Sequence, residues 1–354
     1  MMSGMDTLAD RFDRHARALE HERRSPLYVV LMRGAAEDAR AGGVVNDVFP
    51  DGPGAPGSVP ELRLMAALHH LVLAGDAPEL AAYYPNVGGH RPPQGAWPVA
   101  EAALRAHLQW VRRRCTETVQ TNEPGRSTVL YGGLLWLAER YRLPVRLLEL
   151  GASAGLNLRP DRYRYVVGGR NLGDDTSPVC FDEPWCRMPV TDPWTAQRHL
   201  TIEGRRGCDT DPIDVSNRQG ALRLMSYIWP DEPQRFTRIT AAIEVARAYP
   251  VTVDADDVVT WVDRSLAEPT PGSLTVVWQS VMRQYLNDAT CRQLDARIEQ
   301  AGHDATAEAP LAWLVMESAS ADHLTNFTLR CHLWPDNVCP DLAETGSHGP
   351  PVRW

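Results

Sequence analysis

The stretch Pro144 to Leu158, PVRLLELGASAGLNL, constrains the fold of this chain more than any other. Its apolar run Val145–Leu150 reads as a buried strand. The run ends in Glu149-Leu150-Gly151-Ala152-Ser153-Ala154-Gly155. Glycine and other small residues let a backbone turn sharply and come close to a ligand. In open α/β sheets, ligands sit outside the carboxyl ends of the strands. A dinucleotide fingerprint would need glycine at three positions, which here hold Gly151, Ser153 and Leu156, so NAD is not expected. No Gly-Lys-Ser or Gly-Lys-Thr follows, which removes a phosphate-binding loop. A tight strand-to-helix turn with no ligand is the other reading of the same residues.

The surrounding pattern agrees with an α/β chain. Residues 1–120 read as a helical domain. Asp6 or Thr7 caps a first helix with Leu8, Phe12 and Leu19 on one face. Ser25-Pro26 starts a second helix, which should stop at Gly42-Gly43. The Gly- and Pro-rich segment 46–59 reads as a loop, as does 84–98. Further helices are expected from about Pro60 and over Val99–Cys115. Beyond TETVQTNEPGRS the texture changes. Apolar runs at His199–Glu203, Val251–Val253, Leu274–Trp278, Leu311–Met316 and Phe327–Leu333 alternate with helical segments. The last run is expected to pair with the tail around Val352. Alternation of this kind implies a mostly parallel sheet covered on both faces, spanning a second domain at 121–354.

Charge and cysteine use narrow the function classes. The 354 residues carry a net charge of −9, with no long basic stretch, so a nucleic-acid partner is not expected. Seven cysteines, an odd number without a Cys-x-x-Cys pair, suit a reduced cytoplasm better than a disulfide framework. Cys331, His332 and Cys339 match no common zinc spacing, so no metal is expected. No signal-peptide core and no run of 18 apolar residues occurs, so no membrane association is expected.

The pattern of an acid, then glycine, three small residues and glycine resembles that of the class I S-adenosylmethionine-dependent methyltransferases. Glu149, Gly151, Ser153 and Gly155 carry it, with Ser153 where that family has its middle glycine. The resemblance covers about residues 126–335 and implies a Rossmann-like sheet, with the helical domain as a substrate cap. A second and wider resemblance rests on VQTNEPGRS, LLELGASAGLNL, Asp161-Arg162-Tyr163, RRGCDTDPIDV, YIWPDE and HGPPVRW. These are similar to one bacterial family known only as a domain of unknown function.

The methyltransferase resemblance implies roles residue by residue. The turn, from Glu149 through Gly151, Ala152, Ser153 and Gly155 to Asn157, would hold S-adenosylmethionine. Asp209 would accept hydrogen bonds from the ribose hydroxyls, or else cap a helix. Asp256 would bond the adenine amino group, or sit in a turn. Gln279 and Ser280 would orient a substrate or the methionine moiety. Arg126 suits the methionine carboxylate, and Asn122 or Glu123 its amino group; a capping loop is the alternative for that segment. Glu123, Asp161, Tyr163 and Gln279 are candidates for handling the acceptor, and His69 and His70 for a base. Trp229 and Trp278 are candidates for lining the pocket.

There are departures from that family. Pro160 shortens or kinks the helix after the turn, and about fifty residues separate the first two strands. Arg162–Gly169 reads as an added hairpin strand that would form a lid or a substrate wall. Trp278-Gln279-Ser280 replaces the Asn/Asp-Pro-Pro-aromatic motif of enzymes that methylate base or glutamine amino groups. A small-molecule acceptor is therefore expected. Transfer or cyclisation of the aminocarboxypropyl group, or a non-catalytic cofactor-binding module, are the alternatives.

Overall fold

The computed structural model describes residues 7–54, 58–318 and 326–354. The chain divides into two compact units. One comprises Met1–Thr121 with Asn217–Thr237, the other Asn122–Ser216 with Arg238–Trp354. The first unit thus takes in a segment from far down the chain, which nothing in its local pattern announces.

The helical unit begins with Leu8–His21. Thr7 caps it by accepting from the Asp10 amide, while the Asp10 carboxylate accepts from the Thr7 amide. Asp6, the other cap candidate, lies outside the described residues. Leu8, Phe12, Ala16 and Leu19 pack inward, one helical face deep. Helices Pro26–Arg40 and Pro60–Ala74 both start on proline, whose missing N–H has no partner to lose there. Gly34 lets the Pro26–Arg40 helix approach Trp97, since a Cβ there would stand 2.1 Å from the indole. The segment read as a loop at 46–59 begins inside a short helix, Val44–Val48, whose valines are buried. The helix expected over Val99–Cys115 is two helices, Ala96–Ala106 and Leu108–Thr116, joined at His107.

His69 and His70 lie on the buried side of Pro60–Ala74. The His69 Nδ1 lies 3.1 Å from the Ser226 carbonyl oxygen, so it carries the proton, and Nε2 accepts from the Asn86 amide at 2.9 Å. The His70 ring lies tilted against Trp110, ring centroids 5.0 Å apart. Both histidines hold this unit together, within its core.

The second unit is mixed α/β around an eight-stranded sheet. Its strands in chain order are β1 (Val145–Leu150), β2 (Arg164–Val167), β3 (Arg170–Gly173), β4 (Cys180–Asp182), β5 (Ile202–Asp209) and β6 (Thr252–Ala255). They continue with β7 (Leu274–Ser280), β8 (Leu311–Ser318), β9 (Phe327–Trp334), β10 (Asp341–Gly346) and β11 (Gly349–Arg353). The large sheet runs β11-β10-β9-β8-β7-β1-β5-β6, while β3-β2-β4 form a separate small sheet. Strands β6, β5, β1, β7 and β8 are parallel, and β9 to β11 continue as an antiparallel meander. From β1 the chain proceeds first to β5 and β6 on one side, then returns to β7 and β8 on the other. The order therefore reverses at β1, where such sheets form their ligand crevice.

Two strand expectations and one helix expectation need correction. The second parallel strand covers Ile202–Asp209, not His199–Glu203, so that Arg205, Arg206 and Gly207 are strand residues. Their side chains or lack of one are satisfied by neighbours: Arg206 forks onto Asp254 on β6, and Arg205 onto Asp161. The tail at Val352 does not pair with β9; β10 lies between them. Strand β10, DLAETG, is short and poor in β-branched residues, so composition conceals it. After the glycine turn stand only two 3-10 turns, Leu156–Leu158 and Pro160–Arg162, in place of a helix. The added hairpin is β2 and β3, turning through Gly168-Gly169 at positive φ.

The helix Ser127–Arg140 is buried along most of its length and carries Gly132-Gly133. A Cβ on Gly132 would lie 2.0 Å from the Trp354 ring, and one on Gly133 3.1 Å from Leu314. Glycine inside a helix costs about 1 kcal/mol against alanine, which the close approach of an indole and a sheet offsets.

Burial holds the His69 pKa down to about 4. Its unfolded value is near 6.5, so as pH falls the unfolded chain takes the proton first. Stability contributed by the neutral ring is intact above pH 6.5 and is lost between there and pH 4, by ~3 kcal/mol. Urea unfolding of the helical unit's signal at pH 7 and pH 4.5 should show this loss, and His69→Gln should reduce the pH dependence. An unchanged midpoint in the wild type would contradict it.

Candidate functional site

The turn after β1 has three residues at positive φ: Gly151 at 66°, Ser153 at 54° and Gly155 at 65°. Ser153 is held in the left-handed region by its surroundings. Its N–H donates to Asp209 Oδ2 at 2.9 Å, and its carbonyl accepts from the Ile213 N–H at 3.1 Å. The Ala152 N–H donates to the Cys208 carbonyl at 2.9 Å. A Cβ on Gly207 of β5 would sit 2.6 Å from the Ala152 Cβ, so glycine in that strand makes room for the turn. A side chain at Gly155 would press on Val251 and Val253, each 3.0 Å from the Cβ position. Arg159 closes the far end, donating through Nη1 to the Gly155 carbonyl at 2.6 Å.

Glu149 sits one residue before the end of β1, paired in register with Gly207 on β5 and Trp278 on β7. Its carboxyl is buried, and Oε2 has no hydrogen-bond partner among the described residues. The Trp278 Nε1, Ser153 Oγ and Asn157 Nδ2 are likewise buried without partners. Asn157 Oδ1 accepts from the Ser127 hydroxyl at 2.7 Å, which leaves its amide nitrogen as the spare group. Burial pushes the Glu149 carboxyl up to about 8, against the opposing pull of Asn157, Arg126 and Arg159, while Asp209 adds to the rise. Four unsatisfied polar atoms around the exit of one strand are unusual, because buried polar groups are normally paired. An acid short of donors there suits a ligand that brings positive charge.

The remaining sequence candidates divide by location. Asn122 Oδ1 accepts from the Leu156 N–H at 2.8 Å and ties the preceding segment to the turn. Glu123 is buried, its Oε1 accepting from the Gly125 N–H at 3.0 Å with Arg238 Nη1 at 3.7 Å. The Arg126 guanidinium spans the carbonyls of Ser347 and Ser280, at 2.9 and 3.3 Å, and so joins the β10–β11 turn to the end of β7. Successive strand residues face opposite sides of a sheet. Ser280 therefore shares the Trp278 and Glu149 face, whereas Gln279 points to the other. There Gln279 accepts from Trp313 Nε1 at 3.1 Å and donates to Glu317 at 3.2 Å. Asp161 lies in a bidentate pair with Arg205, at 2.7 and 3.1 Å. Tyr163 is fully buried, with burial pushing its phenol pKa well up, and donates to the Leu156 carbonyl at 2.7 Å. The Asp256 N–H donates to the Asp209 carbonyl at 3.1 Å, and its carboxylate pairs with Arg264 at 2.9 Å. Asp209 takes the Asp211 N–H on Oδ1 at 2.9 Å as well as the Ser153 N–H. Trp229 belongs to the helical unit, where Arg24 lies 4.8 Å above its ring.

Sequence reasoning missed three contributors. Glu317, at the end of β8, accepts from the Met282 and Arg283 N–H groups at 3.0 and 3.2 Å, and burial raises its pKa. An acid following the apolar run Leu311–Met316 was the available signal, the same one used for Asp209. Ser127 and Arg159 gave no such signal, since their roles depend on which loop faces them. Among the described residues, no group of three His, Cys, Asp or Glu side chains could hold a metal ion. The Cys339 Sγ does lie 3.5 Å from His332 Nε2. No described helix is long and apolar enough to cross a membrane.

The strained carboxyl gives a test of this geometry. Glu149 has a folded pKa of about 8 and an ordinary value of 4.5, so its penalty is absent below pH 4.5 and grows as pH rises to 8. At pH 7 this amounts to roughly 3 kcal/mol. Glu149→Gln should accordingly raise the unfolding free energy at pH 7 by about 1–3 kcal/mol, allowing for one amide group left unpaired. Denaturant titration checks it; a destabilised variant at pH 7 would mean that the carboxylate is well solvated or bonded.

Comparison with curated proteins returned no match, and comparison with solved structures returned none. A family model, by contrast, matches residues 9–354, nearly the whole chain. The chain belongs to the family described as "Uncharacterized protein conserved in bacteria (DUF2332)".

Proposed function

We propose that the chain is an S-adenosylmethionine-dependent transferase that methylates a small molecule at the carboxyl ends of β1, β5 and β7. The observation that supports this most is the position of the glycine turn. It leaves β1 where the parallel order reverses, and the five parallel strands follow the third-second-first-fourth-fifth order of Rossmann-type sheets. The spare polar atoms fit such a cofactor. Glu149 Oε2 is a buried acceptor for a cationic group, and Ser153 Oγ and Asn157 Nδ2, in the segment that follows β1, are buried without partners. Asp209, at the end of the neighbouring strand, accepts the Ser153 and Asp211 N–H groups and so presents an oriented carboxylate beside the turn, the residue type that suits ribose hydroxyls.

The cofactor would supply a methyl group already activated by its sulfonium charge. The residues of this chain supply position and exclusion of water. Asn122 and Arg159 brace the turn from both ends, so the Glu149 carboxyl meets its ligand without reorganisation. Orientation of this kind contributes up to roughly 7–11 kcal/mol of barrier reduction. Glu123 is the carboxylate nearest to handling an acceptor proton, because Asp161 is held in a guanidinium fork and Tyr163 is sealed behind Leu156. Gln279 and Glu317 act from the opposite face by fixing the end of β7.

Calorimetric titration of S-adenosylmethionine and S-adenosylhomocysteine against the wild type, Asp209→Asn, Gly155→Val and Glu149→Gln tests the reading. Micromolar binding is expected in the wild type, weakened by at least about tenfold in each variant. Glu149→Gln is the decisive arm, since it should fold more stably while binding less. Absence of binding by folded wild type sinks the proposal. If binding holds, the product identifies the group moved: S-adenosylhomocysteine for methyl transfer, methylthioadenosine for aminocarboxypropyl transfer.

A further inference from the structure

Arg238 stands out among the arginines of the sheet unit. Arg205, Arg206 and Arg283 each fork onto a carboxylate with two hydrogen bonds. Arg238 faces the buried Glu123 with its Nη1 at 3.7 Å, too far for a hydrogen bond, and its guanidinium donates none among the described residues. The guanidinium carbon instead lies 5.0 Å from the Phe181 ring centroid, and about a fifth of the side chain is exposed. Phe181 is itself immobilised: it stacks on Tyr165 at 5.4 Å, and Tyr165 stacks on Tyr131 at 4.4 Å with parallel rings. The cation is thus oriented by an aromatic platform and by a nearby charge, with its fork of donors unused.

Its neighbours connect it to the proposed site. Glu123 follows Asn122, which holds the Leu156 N–H, and Tyr163, in edge contact with Phe181, holds the Leu156 carbonyl. Phe181 belongs to β4, which pairs with β2 of the added hairpin, the segment expected to form a lid or a substrate wall.

We propose that Arg238 anchors the acceptor by an oxyanion, a carboxylate or a phosphate, and that Phe181 holds the guanidinium ready for it. The inference rests on the transferase reading for what the acceptor is used for, but not for the anion site itself. One edge of the guanidinium stays toward Glu123, and the Nη2 and Nε donors take the anion in the two-point geometry that arginine favours.

The test uses the full chain with succinate, succinamide and inorganic phosphate as probes, with calorimetry on the wild type, Arg238→Gln and Arg238→Lys. Succinate or phosphate should bind the wild type and succinamide should not. Arg238→Gln should lose at least about tenfold in affinity, with a partial loss in Arg238→Lys. Whichever anion binds more tightly identifies the source of the oxyanion. Binding that persists in folded Arg238→Gln, or no anion binding by the wild type, overturns the inference. S-adenosylhomocysteine titrated separately against the same proteins distinguishes the two proposals. Retained binding of that ligand without anion binding removes only the Arg238 assignment, and loss in the wild type removes only the transferase reading.

Discussion

The hydrogen bond from the Ser153 N–H to the Asp209 carboxylate organises the carboxyl end of the sheet. A serine at φ 54° is held against its own preference, at a cost of order 1 kcal/mol. One charge-assisted hydrogen bond offsets such a cost. It also sets two strands in relation, since Asp209 ends β5 while Ser153 follows β1. The other arrangements depend on that. Gly207 must lack a side chain for Ala152 to come down beside it, Arg159 must reach back to the Gly155 carbonyl, and Asn122 must meet the Leu156 N–H. Shift the turn, and the Glu149 carboxyl loses its enclosed position.

The same enclosure explains why the acid stands under strain. Interiors tolerate a carboxyl when donors surround it, and the buried Glu149 Oε2 has no hydrogen-bond partner among the described residues. A sequence selected for stability alone would place glutamine or an apolar residue there. Tyr163 and Tyr165, equally buried, show the contrasting solution: each phenol finds a carbonyl 2.7 Å away.

How much of this could be read from the chain depended on whether the information was local. The run Val145–Leu150 and the small residues after it describe a buried strand and its turn completely, because burial and backbone freedom leave their mark on the residues themselves. Proline at Pro26 and Pro60 announced two helix starts for the same reason. What depended on partners stayed hidden. Arg205 and Arg206 lie in a strand because Asp161 and Asp254 meet them, and β10 exists because β9 and β11 flank it. For the site, residue identities were legible but not their sides. Gln279 and Ser280 are adjacent in sequence, yet strand alternation sends one toward Glu317 and the other toward the Glu149 face. Arg238 carries no signal in the sequence, since its surroundings depend on β4 bringing Phe181 beneath it.

The interleaving of the two units has a consequence for how the protein is made. Residues Asn217–Thr237 belong to the helical unit but are synthesised after β1 to β5. Domains generally fold as units while the chain emerges, the amino-terminal ones first. Here the amino-terminal unit lacks the Ser226 carbonyl that holds His69 until strands of the other unit have already appeared. The sheet unit waits in turn, because the place beside Gly132 is taken by Trp354. Neither unit can be finished early, so a nascent chain carries two incomplete cores at once and depends on closing both late.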